Sequence, residues 1–112
     1  MTQTLFDLSG RTALVTGSSR GIGRAIAEGM AKGGARLIIN GTDPARVETA
    51  VTEFRAAGHV AEGATFDVTD EAGIVRAFEN FDRAGIAIDI LVNNAGIQRR
   101  KPLVEFFQRR MA

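Results

Sequence analysis

The 112-residue chain contains no cysteine, tyrosine or tryptophan and only one histidine, His59. Without cysteine it forms neither disulfides nor cysteine-based metal sites, and one histidine cannot hold a metal ion by itself, so we predict no metal site. No apolar run approaches the length of a membrane span, and the first residues lack the basic-then-apolar pattern of a signal peptide. These absences predict a cytoplasmic protein that does not contact membranes.

The chain has no large excess of positive or negative charge. The formal net charge of +1 argues against a general nucleic-acid-binding surface. The charge is uneven, because residues 1–98 carry 9 Lys and Arg against 12 Asp and Glu, whereas residues 99–112 carry 5 against 1. This basic end is typical of a solvated helix or loop, and a specific anionic partner is the alternative. The length and the 45% apolar content predict one globular domain.

A glycine-rich turn between a short apolar run, Ala13–Val15, and a helix-like segment, Arg24–Lys32, is the most informative feature that is present. A strand, a turn with three glycines and a helix start together make a phosphate cradle. In this pattern Gly17 allows the tight turn, Gly21 lets the backbone approach a pyrophosphate, and Gly23 lets the helix and strand pack closely.

Strand and helix patterns alternate along the rest of the chain. We predict strands over 13–15, 37–39, 59–66 and 89–92, the third being weakly apolar and therefore at a sheet edge. We predict helices over 24–32, over about 42–58, after a cap at 69–71, and from about residue 102 or 103. Long crossovers make the strands parallel. The predicted fold is therefore α/β, a Rossmann-like, doubly wound parallel sheet of about four strands.

The first helix has an apolar pattern at helical spacing, which predicts which of its faces is buried. The residues on that face are Ile22, Ala25, Ile26, Gly29 and Met30.

Four sequence elements occur in order along the chain: the glycine turn at 16–23, Asp67-Val68 after the third strand, the fourth strand at 89–92, and Asn93-Asn94-Ala95-Gly96. Together they strongly resemble the short-chain dehydrogenase/reductase family, whose members are NAD(P)-dependent oxidoreductases. Within the family, the segment 93–102 and the opening at 5–11 look like those of gluconate 5-dehydrogenases. The resemblance covers residues 5 to about 105.

The resemblance implies roles for individual residues. The pyrophosphate and adenosine ribose would be held by Gly17, Ser18, Ser19, Arg20, Gly21, Ile22 and Gly23. Asp67 would accept from the adenine amino group and Val68 would pack beside the adenine, while Asn94, Ala95 and Gly96 would border the ribose on the nicotinamide side. The alternative for Asp67 is a capping carboxylate near Thr69, and for Asn93-Asn94 a simple strand-ending turn.

The choice of cofactor depends on the end of the second strand. NAD enzymes usually place a carboxylate there to bind the ribose hydroxyls, and by resemblance the matching residue here is Gly41, which carries no charge. Thr42 follows it as a cofactor-binding residue that can donate a hydrogen bond. Arg20 can face a 2′-phosphate. Asp43 has the spacing of the ribose-binding acid, although its place before Pro44 suits a helix cap. We predict NADP, with NAD as the alternative.

The residues that carry out the family's reaction have no counterpart in this sequence. The family uses a tyrosine as acid and base, with a lysine, a serine and an asparagine, all beyond the Asn-Asn-Ala-Gly element. We predict no catalytic residue and interpret 1–112 as a truncated NAD(P)-binding half-domain, inactive alone. The alternatives are a nucleotide-binding module without catalysis and a non-functional truncated product. In the family a fifth strand pairs with the fourth, so we also predict self-association through the open edge of strand four.

Overall fold

Four parallel strands form one sheet in the computed structural model, which describes residues 7–94 and 101–111. The strands are β1 (Thr12–Val15), β2 (Arg36–Gly41), β3 (Ala61–Thr65) and β4 (Ile90–Val92), in the order β3-β2-β1-β4. All three strand pairs are parallel, with Ala13 opposite Leu37 on one side and Ile90 on the other. The predicted fold class is confirmed.

Four helices alternate with the strands: α1 (Gly21–Lys32), α2 (Pro44–Ala56), α3 (Glu71–Arg83) and α4 (Lys101–Met111). Helix α2 begins where the sequence predicts, because Pro44 fits the first turn and the Asp43 carboxylate accepts a hydrogen bond from the Ala45 amide at 3.0 Å. Helix α1 begins three residues earlier than predicted. The sequence predicts a helix cap at residues 69–71. Asp70 is indeed the N-cap residue of α3, but its side chain makes no capping hydrogen bond.

The sheet separates two hydrophobic layers, as in a doubly wound fold. Successive residues of a strand point to opposite faces, so Leu14 joins the layer under α3 and α4, and Val15 joins the layer under α1 and α2. Both residues are fully buried. Phe78 anchors the first layer and Phe54 the second. Strand β3 lies at the edge, as its weakly apolar sequence predicts.

The predicted buried face of α1 is only partly correct, because Ile26 and Met30 pack against the core whereas Ile22, Ala25 and Gly29 are exposed. The buried residues are Gly23, Ala27 and Ala31, while Ile26 and Met30 lie only half-buried beside them, and Ile22 is 76% exposed. The sequence pattern gave weight to the largest apolar side chains. The helix instead lies close to the sheet and turns its smallest residues toward it, which places Ile22 outside the core.

The chain changes direction across the sheet between β3 and β4. Strands β1, β2 and β3 follow one another outward, and the chain then crosses back to place β4 on the other side of β1. Ligands of open α/β sheets bind at such a switch point, beyond the carboxyl ends of the strands. Here these ends lead into Thr16 and Asn93. Within the described ranges, no helix is both long and apolar enough to cross a membrane.

Candidate cofactor-binding site

The glycine turn connects the carboxyl end of β1 to the first residue of α1. Gly17 and Gly21 have φ values of +62° and +64°, a region that side chains disfavour. The first N–H groups of a helix have no acceptor within it. For those of Gly21 to Gly23, no other acceptor is found in the described part of the chain, and the N-cap residue Arg20 makes no side-chain cap. The turn thus presents free donors, as an anion-binding helix start does.

Gly23 is required by a close approach between α1 and the turn itself. A Cβ atom at this position would lie 2.1 Å from the Gly17 carbonyl oxygen and 2.7 Å from Nδ2 of Asn94. The sequence predicts contact between helix and strand here. The structure instead puts the backbone of the turn and the loop after β4 against Gly23. A Cβ at Gly21 would meet nothing within 4 Å, so the space in front of the turn is open.

The Asn40 side chain holds the glycine turn in place, a role that the sequence patterns do not predict. Its side chain, in a residue only 2% exposed, accepts from the Gly17 amide at 3.1 Å. Its Nδ2 donates to the carbonyls of Ala64 at 3.0 Å and Phe66 at 3.1 Å. One side chain therefore links the glycine turn to the end of β3. The available signal was a single amide side chain among the apolar residues of β2.

Ser18 is buried and its polar groups bind the protein. Its hydroxyl donates to the Val15 carbonyl at 2.6 Å and accepts from the backbone amide of Asn40 at 2.9 Å. The backbone amide of Ser18 donates to the backbone carbonyl of Asn40 at 2.8 Å. With its side chain and amide committed in this way, Ser18 positions the turn rather than pointing into the open space. Ser19, which follows it, is half-buried.

The loop after β4 is tied to the turn through Thr16. The Thr16 hydroxyl donates to Oδ1 of Asn93 at 2.9 Å and accepts from the Asn94 amide at 2.9 Å. Nδ2 of Asn94 lies 3.4 Å from the Gly17 carbonyl oxygen. Nδ2 of Asn93 is buried and finds no acceptor among residues 7–94 and 101–111. The predicted site residue Asn94 thus joins the turn, while Ala95 and Gly96 lie outside the described residues.

Asp67 and Val68 lie just beyond the carboxyl end of β3, next to the Phe66 carbonyl that Asn40 contacts. Oδ1 of Asp67 accepts from both the amide and the hydroxyl of Thr69 at 2.8 Å, so the contact near Thr69 that the capping alternative predicts is present, although the N-cap residue of α3 is Asp70. The Val68 side chain is buried in the layer under α3. These contacts leave the adenine-binding role of both residues a prediction.

The end of β2 carries no acid facing the turn. A Cβ at Gly41 would lie 3.0 Å from Oγ of Ser19, so the strand end packs against the glycine turn. Asp43, the only nearby acid with the spacing of a ribose ligand, is occupied as the cap of α2. Thr42 and Arg20 are exposed, and Arg20 forms no ion pair with any residue that the structure describes.

The predicted site residues that the structure describes therefore lie along the carboxyl edge of the sheet. Ile22 adds an exposed apolar side chain beside the turn. A cavity of about 670 Å³ lies elsewhere, where the segment before β4 meets α3 and α4, and it contains none of the predicted site residues. Open space before free amide donors, an unpaired cation and an exposed apolar side chain are features that fit a dinucleotide.

Solved structures share this fold. A protein described as a gluconate dehydrogenase from Agrobacterium tumefaciens is 49% identical, with a TM-score of 0.92 over 97% of this chain and 52% of that chain. A gluconate 5-dehydrogenase from Burkholderia cenocepacia, solved with NADP and tartrate, is 47% identical, with a TM-score of 0.78 over 82% of this chain and 36% of that one.

Sequence comparison agrees with the structural match. A gluconate 5-dehydrogenase of Gluconobacter oxydans is 49% identical over 102 residues, which are 91% of this chain and 40% of the relative. The chain thus spans about 40% of the length of this curated relative. The family model for the short-chain dehydrogenases matches residues 11–111, which is nearly the whole sequence. The chain therefore belongs to the short-chain dehydrogenase family.

Proposed function

We propose that this chain is the NADP(H)-binding portion of an oxidoreductase that acts like a gluconate 5-dehydrogenase. The observation that carries the proposal is the glycine turn: α1 packs against it at Gly23, the space beside Gly21 is open, and the first amides of α1 have no acceptor among the described residues. The names of the similar proteins support the substrate class, a sugar acid and its keto form.

The proposed contacts follow the geometry of the strand ends. Residues 17–23 would surround the pyrophosphate, with Ser18 acting through the position that it gives the turn. Asp67 and Val68 would border the adenine. The ribose on the nicotinamide side would be bordered by Asn94, Ala95 and Gly96. Asn40 and Thr16 would keep these groups in register, because each links the turn to another strand.

We propose NADP(H) rather than NAD(H) because of charge. The strand end at Gly41 provides no carboxylate for the 2′-hydroxyl, and Asp43 is held as a helix cap. Arg20 provides an exposed guanidinium without an ion-pair partner in the described residues, which suits a 2′-phosphate. A solved relative with bound NADP supports the same choice.

A bound nicotinamide supplies hydride transfer to or from a carbonyl carbon. The residues of this chain would bind and orient that group and exclude water from the turn. Proton transfer requires an acid and base that the family takes from a tyrosine, and the 112 residues contain none. We therefore propose that these residues bind the cofactor and do not turn over substrate on their own.

Titration calorimetry with NADPH and NADH tests the proposal on the wild-type chain and on Arg20→Ala. We expect tighter binding of NADPH, and a loss of roughly 10–150-fold in that preference without Arg20, the value of one charge-assisted contact. Arg76→Ala is the matched control, since Arg76 is an exposed arginine on α3. A wild-type chain that binds neither dinucleotide would leave the alternative of a non-functional product.

A further inference from the structure

A cavity lined by arginine lies between the glycine turn and the first turns of α2. Its volume is about 390 Å³, and its lining includes Ser19, Arg20, Arg24, Ala45, Arg46 and Thr49. None of the residues that line it is acidic. It lies beside the carboxyl end of β2, because Ser19 also packs against Gly41. The adenosine ribose of a bound dinucleotide belongs at that strand end.

The three arginines of the cavity differ in how closely carboxylates of the chain pair with them. Nη1 of Arg24 lies 2.6 Å from Oε1 of Glu53, and its Nε lies 3.7 Å from Oε1 of Glu28. Its guanidinium also stacks over the ring of Phe54, with 5.3 Å between the guanidinium carbon and the ring centroid. Arg24 therefore links α1 to α2. Because its guanidinium is already paired with two carboxylates, it is less available to a ligand.

Arg46 is held much more loosely. Its contact with a carboxylate is a 3.6 Å approach of Nε to Oδ2 of Asp43, and both side chains are about half exposed. Asp43 uses its other oxygen to cap the Ala45 amide. A cation in the first turn of a helix opposes the helix dipole, so the stability of α2 does not explain an arginine at this position.

We propose that Arg46 is a specificity-determining residue that binds the 2′-phosphate of NADP(H) together with Arg20, with which it lines the same cavity. The inference rests on the proposed function, because it assigns a further residue to the same site. A phosphate monoester carries close to two negative charges at neutral pH, and planar guanidinium groups bind it with paired hydrogen bonds. Two arginines that line one cavity can match that charge, whereas Arg20 alone would leave part of it unpaired.

Asp43 sets the strength of this site in the proposal. Its carboxylate, 3.6 Å from Nε of Arg46, competes with the phosphate for that guanidinium. Asparagine at this position keeps an oxygen for the Ala45 amide and removes the negative charge. Asp43→Asn should therefore strengthen phosphate binding without loss of the α2 cap, which makes it a gain-of-affinity counterpart to the removal of Arg46.

The test uses 2′,5′-ADP and 5′-AMP, which differ only in the 2′-phosphate, titrated by calorimetry into the full chain. We expect Arg46→Ala to weaken 2′,5′-ADP binding by roughly tenfold, the effect of one charge-assisted hydrogen bond, and to leave 5′-AMP binding unchanged. Asp43→Asn should tighten 2′,5′-ADP binding several-fold. Arg76→Ala is the matched control, because Arg76 pairs with Asp70 at the N-terminus of α3 as Arg46 does with Asp43.

The outcomes separate this inference from the proposed function. A wild-type preference for 2′,5′-ADP that survives Arg46→Ala overturns the role of Arg46 and leaves NADP binding in place. Equal wild-type affinities for the two nucleotides overturn the 2′-phosphate site but not dinucleotide binding. A chain that binds neither the nucleotides nor NADPH and NADH overturns both. Loss of 2′,5′-ADP affinity in Arg46→Ala but not in Arg76→Ala, with a gain in Asp43→Asn, establishes the assignment.

Discussion

Ser18 and Asn40 bind each other in both directions across the end of the sheet. The Ser18 amide donates to the Asn40 carbonyl at 2.8 Å, and the Asn40 amide donates to the Ser18 hydroxyl at 2.9 Å. Both residues are buried. The pair joins the glycine turn to β2 through groups of the chain itself, so these two hydrogen bonds help to set the shape of the turn.

We predict that Ser18→Ala destabilises the chain while Ser19→Ala does not. Loss of the Ser18 hydroxyl leaves the buried Asn40 amide without an acceptor, which costs about 1–3 kcal/mol. For a chain of about this size, each kcal/mol lowers the melting temperature by about 4–8 °C. Thermal unfolding followed by circular dichroism measures the difference. Equal melting temperatures for the two variants would show that the Ser18–Asn40 pair contributes nothing to the turn.

We predict that Gly23→Ala abolishes NADPH binding and lowers the melting temperature. The added Cβ would lie 2.1 Å from the Gly17 carbonyl oxygen, so the turn or α1 must move. Gly29→Ala is the control on the same helix, because a Cβ there meets nothing within 4 Å. Alanine should stabilise the helix at that position by about 0.5–1 kcal/mol. Normal NADPH affinity in a folded Gly23→Ala chain would contradict the described turn.

We predict no turnover of gluconate or 5-ketogluconate by these 112 residues with either cofactor. Loss of a positioned acid and base alone lowers a rate by roughly 10²–10⁴-fold, and no tyrosine is present to serve. The single histidine, His59, lies before β3 and packs near Phe54, at the edge of the sheet away from the glycine turn. The absorbance of the reduced cofactor is the readout. Activity that follows the purified chain and disappears in Gly23→Ala would contradict the prediction.

We predict that the chain self-associates through the edge of β4 that faces away from β1. In the described part of the chain β4 pairs with β1 alone, and an apolar strand with an open edge favours pairing between chains. Sedimentation velocity over a range of concentrations should show association, which Ile90→Lys should weaken. Val60→Lys at the opposite edge, where Val60 is 54% exposed, is the control. A monomer at every concentration would rule out this interface.

Much of the fold can be predicted from the sequence because its signals are local. The apolar run of β1, the three glycines of the turn and the Asp43-Pro44 start of α2 each encode a backbone conformation within a few residues. The alternation of these elements is enough to predict a parallel, doubly wound sheet, and the glycine turn is enough to predict a phosphate cradle.

The residues that hold the site together could not be predicted from the sequence and are known from the folded chain alone. The choice depends on distances between residues that are far apart in sequence: Asn40 contacts both the turn and the end of β3, and Gly23 faces Gly17 and Asn94. The sequence predicted a buried Ile22, yet the helix approaches the sheet so closely that only small residues fit beneath it. Hydrophobic periodicity reports which side chains are apolar, whereas packing depends also on how much space the neighbouring elements leave.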